Sequence, residues 1–193
     1  FAMAALGFAE FFVSPGSTAA VSLLREARDM WAGREGGLRI WIESALAIQL
    51  VGDNFNLRDE AEHLTASAEK AARSLGTRRS LAAALLARAF VARTASVDTA
   101  RQRSELADEA TEAVRDRGEI TLEVMASVAR EVAWMDLGER DEADRELLRL
   151  EHLLGRLHSS YWRAVVPAMR SARALLDARF DEAEALARSA FAA

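Results

Sequence analysis

The sequence predicts an all-α protein made of stacked helical hairpins, and three observations carry that prediction. The first is composition. Of 193 residues 51% are hydrophobic, only two are Pro and ten Gly, and Ala, Leu, Arg and Glu dominate. These are strong helix formers. The second is period. Apolar residues recur every three or four positions, as in Leu57, Ala61, Leu64, Ala68, Ala71 and Leu75, and again in Ala143, Leu147, Leu150, Leu154 and Leu157. That spacing puts one apolar stripe on a helix, and no stretch keeps the alternation of a half-buried strand. The third is repetition. Asp141-Glu142-Ala143 returns as Asp181-Glu182-Ala183, and Asp59-Glu60-Ala61 stands two such intervals before the first of these. A further copy, Asp108-Glu109-Ala110, is out of phase. Two helices in each unit of about 40 residues describe a solenoid, in which no unit buries its apolar face without neighbours.

The elements follow in order. Phe1–Val13 is apolar but holds Glu10 and lacks a basic start, so it is a poor signal peptide. After this N-terminal helical stretch the periodicity predicts nine helices, at 18–32, 38–51, 57–75, 78–93, 98–117, 119–137, 140–157, 160–177 and 180–192. The breaks are short and polar: Ser14–Ser17, Gly33–Gly37, Gly52–Asn54, Gly76-Thr77, Arg93–Asp98, Gly118 and Gly138. Glycines just past a periodic run read as C-terminal caps, and Ser17, Asp98 and Ser159 read as N-caps. Pro167 falls inside the eighth of these helices, where it either kinks the helix or marks a restart. Paired in order, the helices give hairpins at 18–51, 57–93, 98–137 and 140–177 plus a last helix at 180–192. Both ends look cut, so residues 1–193 read as one repeat segment of a longer chain.

Charge narrows the function. A net charge of −5 argues against direct nucleic-acid binding by this segment. The absence of Cys removes thiolate chemistry and disulfides and fits a reducing, cytoplasmic setting. No apolar run reaches the ~18 residues of a membrane span, so no membrane partner is expected. The charge is unevenly spread. Residues 70–103 carry eight cations against Asp98, a net of +7, and residues 104–152 carry fifteen acids against six Arg, a net of −9. Either these stretches neutralise each other across adjacent repeats, or Arg78, Arg79 and Arg88 form an electropositive face for an acidic partner.

The catalytic inventory is thin. Glu60-x-x-His63 has the spacing of a carboxylate-bridged metal motif, but no second copy exists to complete such a site. His152 and His158 point to different faces. Gly33–Gly37 precedes a helix yet matches no phosphate loop and follows no strand. No catalytic residue, cofactor or metal is therefore expected. Trp134, Tyr161 and Trp162 either fill gaps between helices or line a ligand groove.

Three segments carry a resemblance. They are Arg73–Gly76 followed by Leu81–Ala89; Trp134–Asp144 with Leu147 and Leu150 following; and Tyr161-Trp162 followed by Ala172–Ala187. Together they resemble the tetratricopeptide-like (MalT-like) helical region of large bacterial LuxR-type ATPase transcriptional regulators. The resemblance covers most of residues 18–193. It implies a right-handed α-α superhelix and a non-catalytic interaction or sensor arm. Its partners would be another protein or other domains of the same chain. The alternative is a small-molecule sensor with its pocket between repeats. The period is nearer 40 than 34 and no Pro closes each repeat, which departs from the strict tetratricopeptide pattern. By repeat alternation, partner contacts fall on the first helix of each pair.

Overall fold

The computed structural model describes residues 2–5, 17–53, 57–92, 96–115, 117–157 and 160–192, and every regular element among them is helical. The helices are α1 (Thr18–Met30), α2 (Gly37–Asp53), α3 (Arg58–Leu75), α4 (Arg78–Val91), α5 (Val97–Val114), α6 (Ile120–Leu137), α7 (Arg140–Leu154), α8 (Ser160–Leu176) and α9 (Phe180–Ala192). They match the nine spans predicted from periodicity, with ends displaced by at most three residues. Residues 2–5 form a further helical turn, and its Ala2 and Ala5 are buried.

Local chemistry explains most of the boundaries. Ser17 caps α1, accepting from the Ala20 N–H at 3.4 Å. Ser96, not Asp98, caps α5 by accepting from the Thr99 N–H at 3.2 Å. Asp98 instead sits in the first turn, where a carboxylate complements the positive helix end. The Ser159 cap predicted from sequence lies outside the described residues. Gly52 does not break α2, which runs on to Asp53, and α8 continues through Pro167. Gly138 ends α6 at φ 77°, with the Glu139 N–H bonded to the Trp134 carbonyl at 2.9 Å. The turn after α8 repeats that geometry one repeat later, with the Arg179 N–H on the Ala174 carbonyl at 2.8 Å. There the left-handed position is held by Ala178 at φ 58°, where a Cβ costs energy that glycine avoids.

Each helix packs on its neighbours in sequence, and α2–α4 and α4–α6 also meet directly. The helix that sits between two others must be apolar on several sides. Accordingly α4 is buried without interruption from Ala82 to Ala87. The odd helices flank this row and are tied to one another by long side chains. Arg25 of α1 reaches Glu60 of α3 at 2.7 Å, and Arg73 of α3 reaches Glu109 of α5 at 2.9 Å. Arg130 of α6 links Asp108 of α5 (3.1 Å) to Glu146 of α7 (3.0 Å).

The aligned tripeptides are explained by this packing. Ala61, Ala143 and Ala183 are each the fourth residue of α3, α7 and α9, and Ala100 takes that place in α5. All four are buried, where a small side chain lets the preceding helix approach. Ala110, of the out-of-phase copy, is the fourteenth residue of α5.

One junction differs. Contact between α7 and α8 is the thinnest of any neighbouring pair, and the close partner of α8 is α9. The predicted pairing of 140–177 as a hairpin is therefore not a tightly packed unit. The cluster at this junction contains Val124, Leu147, Leu150, Leu153 and Val166, flanked by Trp162 and Met169 and without an Ala among the described residues. These side chains join α6, α7 and α8 into one cluster, within which α6 and α7 pack closely and α7 and α8 barely touch.

Candidate functional site

From α3 onward the odd helices do not close on one another, and a groove opens between α3 and α5, between α5 and α7, and between α7 and α9, each floored by the even helix behind. The α3–α5 groove over α4 encloses about 720 Å³, the α5–α7 groove over α6 about 930 Å³, and the α7–α9 groove over α8 about 370 Å³.

The floors share a device. Arg88, Arg130 and Arg170 are each the eleventh residue of α4, α6 and α8. Their partners Glu69, Asp108 and Glu151 are each the twelfth residue of α3, α5 and α7. Arg88 meets Glu69 at 2.5 Å, Arg130 meets Asp108 at 3.1 Å, and Arg170 pairs with Glu151. One ion pair thus recurs in three consecutive repeats. Its wings vary. Glu69 also accepts from Arg73 at 2.8 Å. Arg130 also donates to the Thr111 hydroxyl at 2.9 Å. Burial opposes ionisation of Glu69, but hydrogen bonds from Arg88 and Arg73 outweigh it and hold its carboxyl below the usual range. Glu109 and Glu69 in turn hold the Arg73 guanidinium more firmly protonated.

Charge separates the grooves. The α5–α7 groove is lined by Asp108, Glu109, Glu112 and Glu123 against Arg115, Arg130, Arg149 and Arg156, a balanced set. In the α7–α9 groove three Arg face Asp144 and Glu182 beside Leu147, Leu148 and Leu186. The α3–α5 groove carries Arg58, Lys70, Arg73 and Arg88 against Glu62 and Glu69, the most cationic of the three.

The residues singled out from sequence fall in different places. Arg88 lies on the α3–α5 groove floor in its ion pair. Arg79 is nine residues earlier, about two and a half turns, and so faces the opposite side of α4. It stacks over Trp41 with 5.0 Å to the ring centroid and pairs with Glu119 at 3.1 Å, joining α2, α4 and the start of α6. Arg78 is exposed at the first position of α4 and makes no ion pair among the described residues. The three do not form one face. Arg103, also counted in the cationic stretch, is 1% exposed and pairs with Asp136 at 2.6 Å. With Arg73–Glu109 and Arg79–Glu119, this is the neutralisation between adjacent repeats that the charge tally allowed.

Trp162 is half-buried in the α6–α7–α8 cluster. Trp134 is half-buried on α6, ten residues or about 15 Å along the axis from Val124 of that cluster. The Tyr161 side chain lies outside the described residues, as does His158. Glu60 is engaged by Arg25 and Arg28, while His63 and His152 are exposed. Among the described residues no group of three or more His, Asp or Glu is placed to hold a metal ion, and no helix is long and apolar enough to cross a membrane.

The repeated ion pair escaped the sequence reading because its two members sit on different helices, several turns apart along the chain. Aligning the helix starts would have exposed it. Comparison of the chain with protein-family models, with curated proteins and with solved structures gives no match.

Proposed function

We propose that this chain is an interaction arm: a right-handed, tetratricopeptide-like helical array that recognises a protein segment on its odd-helix face. The observation that carries the reading is the row of three grooves between successive odd helices, each with a floor Arg at the same helix position paired to a carboxylate on the preceding odd helix. An open groove along a rigid helix suits an elongated ligand, because backbone and side chains can be read at successive repeats. The motif resemblance to the MalT-like region of bacterial LuxR-type ATPase regulators supports a regulatory setting, in which the arm couples a partner to transcription or signalling.

The rival reading is a small-molecule sensor. The α5–α7 groove favours it, since its balanced Arg and acid pairs (about 930 Å³) suit a zwitterionic or multiply hydrogen-bonded effector. One experiment separates the two. The purified chain is probed with an array of short peptides of varied charge, and by thermal shift with a panel of small carboxylates, phosphates and amino acids. Peptide binding without response to small molecules supports the arm. A thermal shift from a small molecule with no peptide binding supports the sensor. Failure of both on a chain with intact helical circular dichroism overturns both.

A further inference from the structure

The α3–α5 groove differs from its neighbours in charge, and the difference points to a ligand class. We propose that it holds an acidic peptide segment laid along α3, with carboxylates at the Arg58 end and at the Lys70–Arg73 end. This rests on the reading of the chain as an interaction arm and names its partner's chemistry.

Three features argue for it. The first is net charge. Arg88 and Arg73 share Glu69, Arg73 also pairs with Glu109 at 2.9 Å, and Arg58 pairs with Glu62 at 2.9 Å while donating to the Val91 carbonyl at 3.0 Å, so Lys70 is the cation left over. Lys70 is exposed on the groove wall and pairs with no acid among the described residues, so its full charge faces the groove. The second is the helix ends. Arg58 and Thr99, from the first turns of α3 and α5, line the same groove. The positive ends of two helix dipoles therefore lie beside it. The third is span. Arg58 and Lys70 are twelve residues apart, about 18 Å of helix, which five or six extended residues at about 3.3 Å each cover. Ala66 and Ala92 add partly or fully exposed apolar surface to the same groove, for side chains of the peptide.

Lys70 is the only lysine in the chain, and this makes the test specific. A fluorescein-labelled decapeptide with Glu at both ends and an aliphatic centre is titrated into the full chain by fluorescence anisotropy, beside the same peptide with Gln for Glu. Carbodiimide then couples bound carboxylates to nearby amines, and mass spectrometry locates the product. The acidic peptide binds, weakens with added salt, and couples at Lys70, while the Gln peptide does not bind. Lys70→Gln and Arg58→Gln each weaken binding about three- to five-fold, and Arg188→Gln, on the exposed side of α9 outside all three grooves, leaves it unchanged. Equal binding of the Gln peptide, coupling only away from Lys70, or indifference to Lys70→Gln overturns the acidic groove while leaving the arm intact. If no peptide of either kind binds here or in the array, both readings fall.

Discussion

The interior between α4, α5 and α6 and the interior between α6, α7 and α8 solve one packing problem with different side chains. The first is filled by Ala82, Ala83, Ala89, Ala107, Ala110, Ala126 and Ala129 around Leu85, Leu86 and Val114. The second has Leu147, Leu150, Leu153, Val124 and Val166 with Trp162 and Met169, and no Ala among the described residues. Small residues let backbones close in, so α4–α5 and α5–α6 touch along their length. In the second, α6 and α7 pack closely, but α7 and α8 make the thinnest contact of any neighbouring pair. Close backbone contact leaves no room for added atoms, whereas large interlocking side chains leave a void when one is removed.

Substitutions should affect the two interiors differently, and the largest effect is expected at the α7–α8 junction. Leu150, fully buried there, has few small neighbours able to collapse into its space. Leu150→Ala should lower unfolding free energy by about 2–5 kcal/mol in urea titration. A loss under about 1 kcal/mol would show that the junction is plastic. The reverse experiment belongs to the tight interior. Ala107→Leu, at a position with no exposure, should cost about 1–3 kcal/mol by overpacking, while Met169→Leu at the α7–α8 junction should cost less than about 1.5 kcal/mol. If Ala107→Leu were the milder of the two, close packing of α4, α5 and α6 would not be what limits added atoms.

A smaller effect sharpens the view of the far side. Ala178 occupies the left-handed position that Gly138 fills one repeat earlier. Ala178→Gly should stabilise by about 1 kcal/mol and Gly138→Ala destabilise by a similar amount, read as opposite shifts in melting temperature. Because the thin α7–α8 contact separates α8–α9 from the rest, the Ala178→Gly gain should appear most strongly in the melting of that last hairpin. The smallest effect is electrostatic. The Glu69 carboxyl is held below its ordinary value. Its contribution is complete above that value and is lost as the pH falls through the lowered folded pKa. Glu69→Gln should therefore reduce stability at pH 7 and make the acid limb shallower. An acid limb identical in the two proteins would mean that other carboxylates carry the pH dependence.

Helix positions were legible in the sequence because period, glycine caps and short polar breaks are local signals. The buried fourth-position Ala of α3, α7 and α9 was legible too, through tripeptides in phase with the helix starts. The ion pair in each groove floor was not. Its partners, such as Glu69 and Arg88, are brought together only when one helix folds back on another. The cationic excess of residues 70–103 was visible as a sum, but its placement was not. Arg78 and Arg79 stand at the start of α4, away from the groove, and Arg103 is buried against Asp136. The residues that leave charge in the groove include Arg58, which the tally did not cover, and Lys70, which it counted without singling out. The thin contact between α7 and α8 was equally hidden, since no local signal says how closely two helices pack.

The neighbour-by-neighbour packing also bears on how the chain reaches and leaves its folded state. Nearly all contacts join helices adjacent or next but one in sequence, so little loop entropy is lost before a contact forms, and folding should be fast. In such an array each unit answers mainly to the one beside it. The thin α7–α8 contact is then the seam at which cooperativity weakens. Thermal fluctuation should peel α8 and α9 away as a unit, exchanging their amide protons well before those of α4 and α5 and leaving the grooved front half standing.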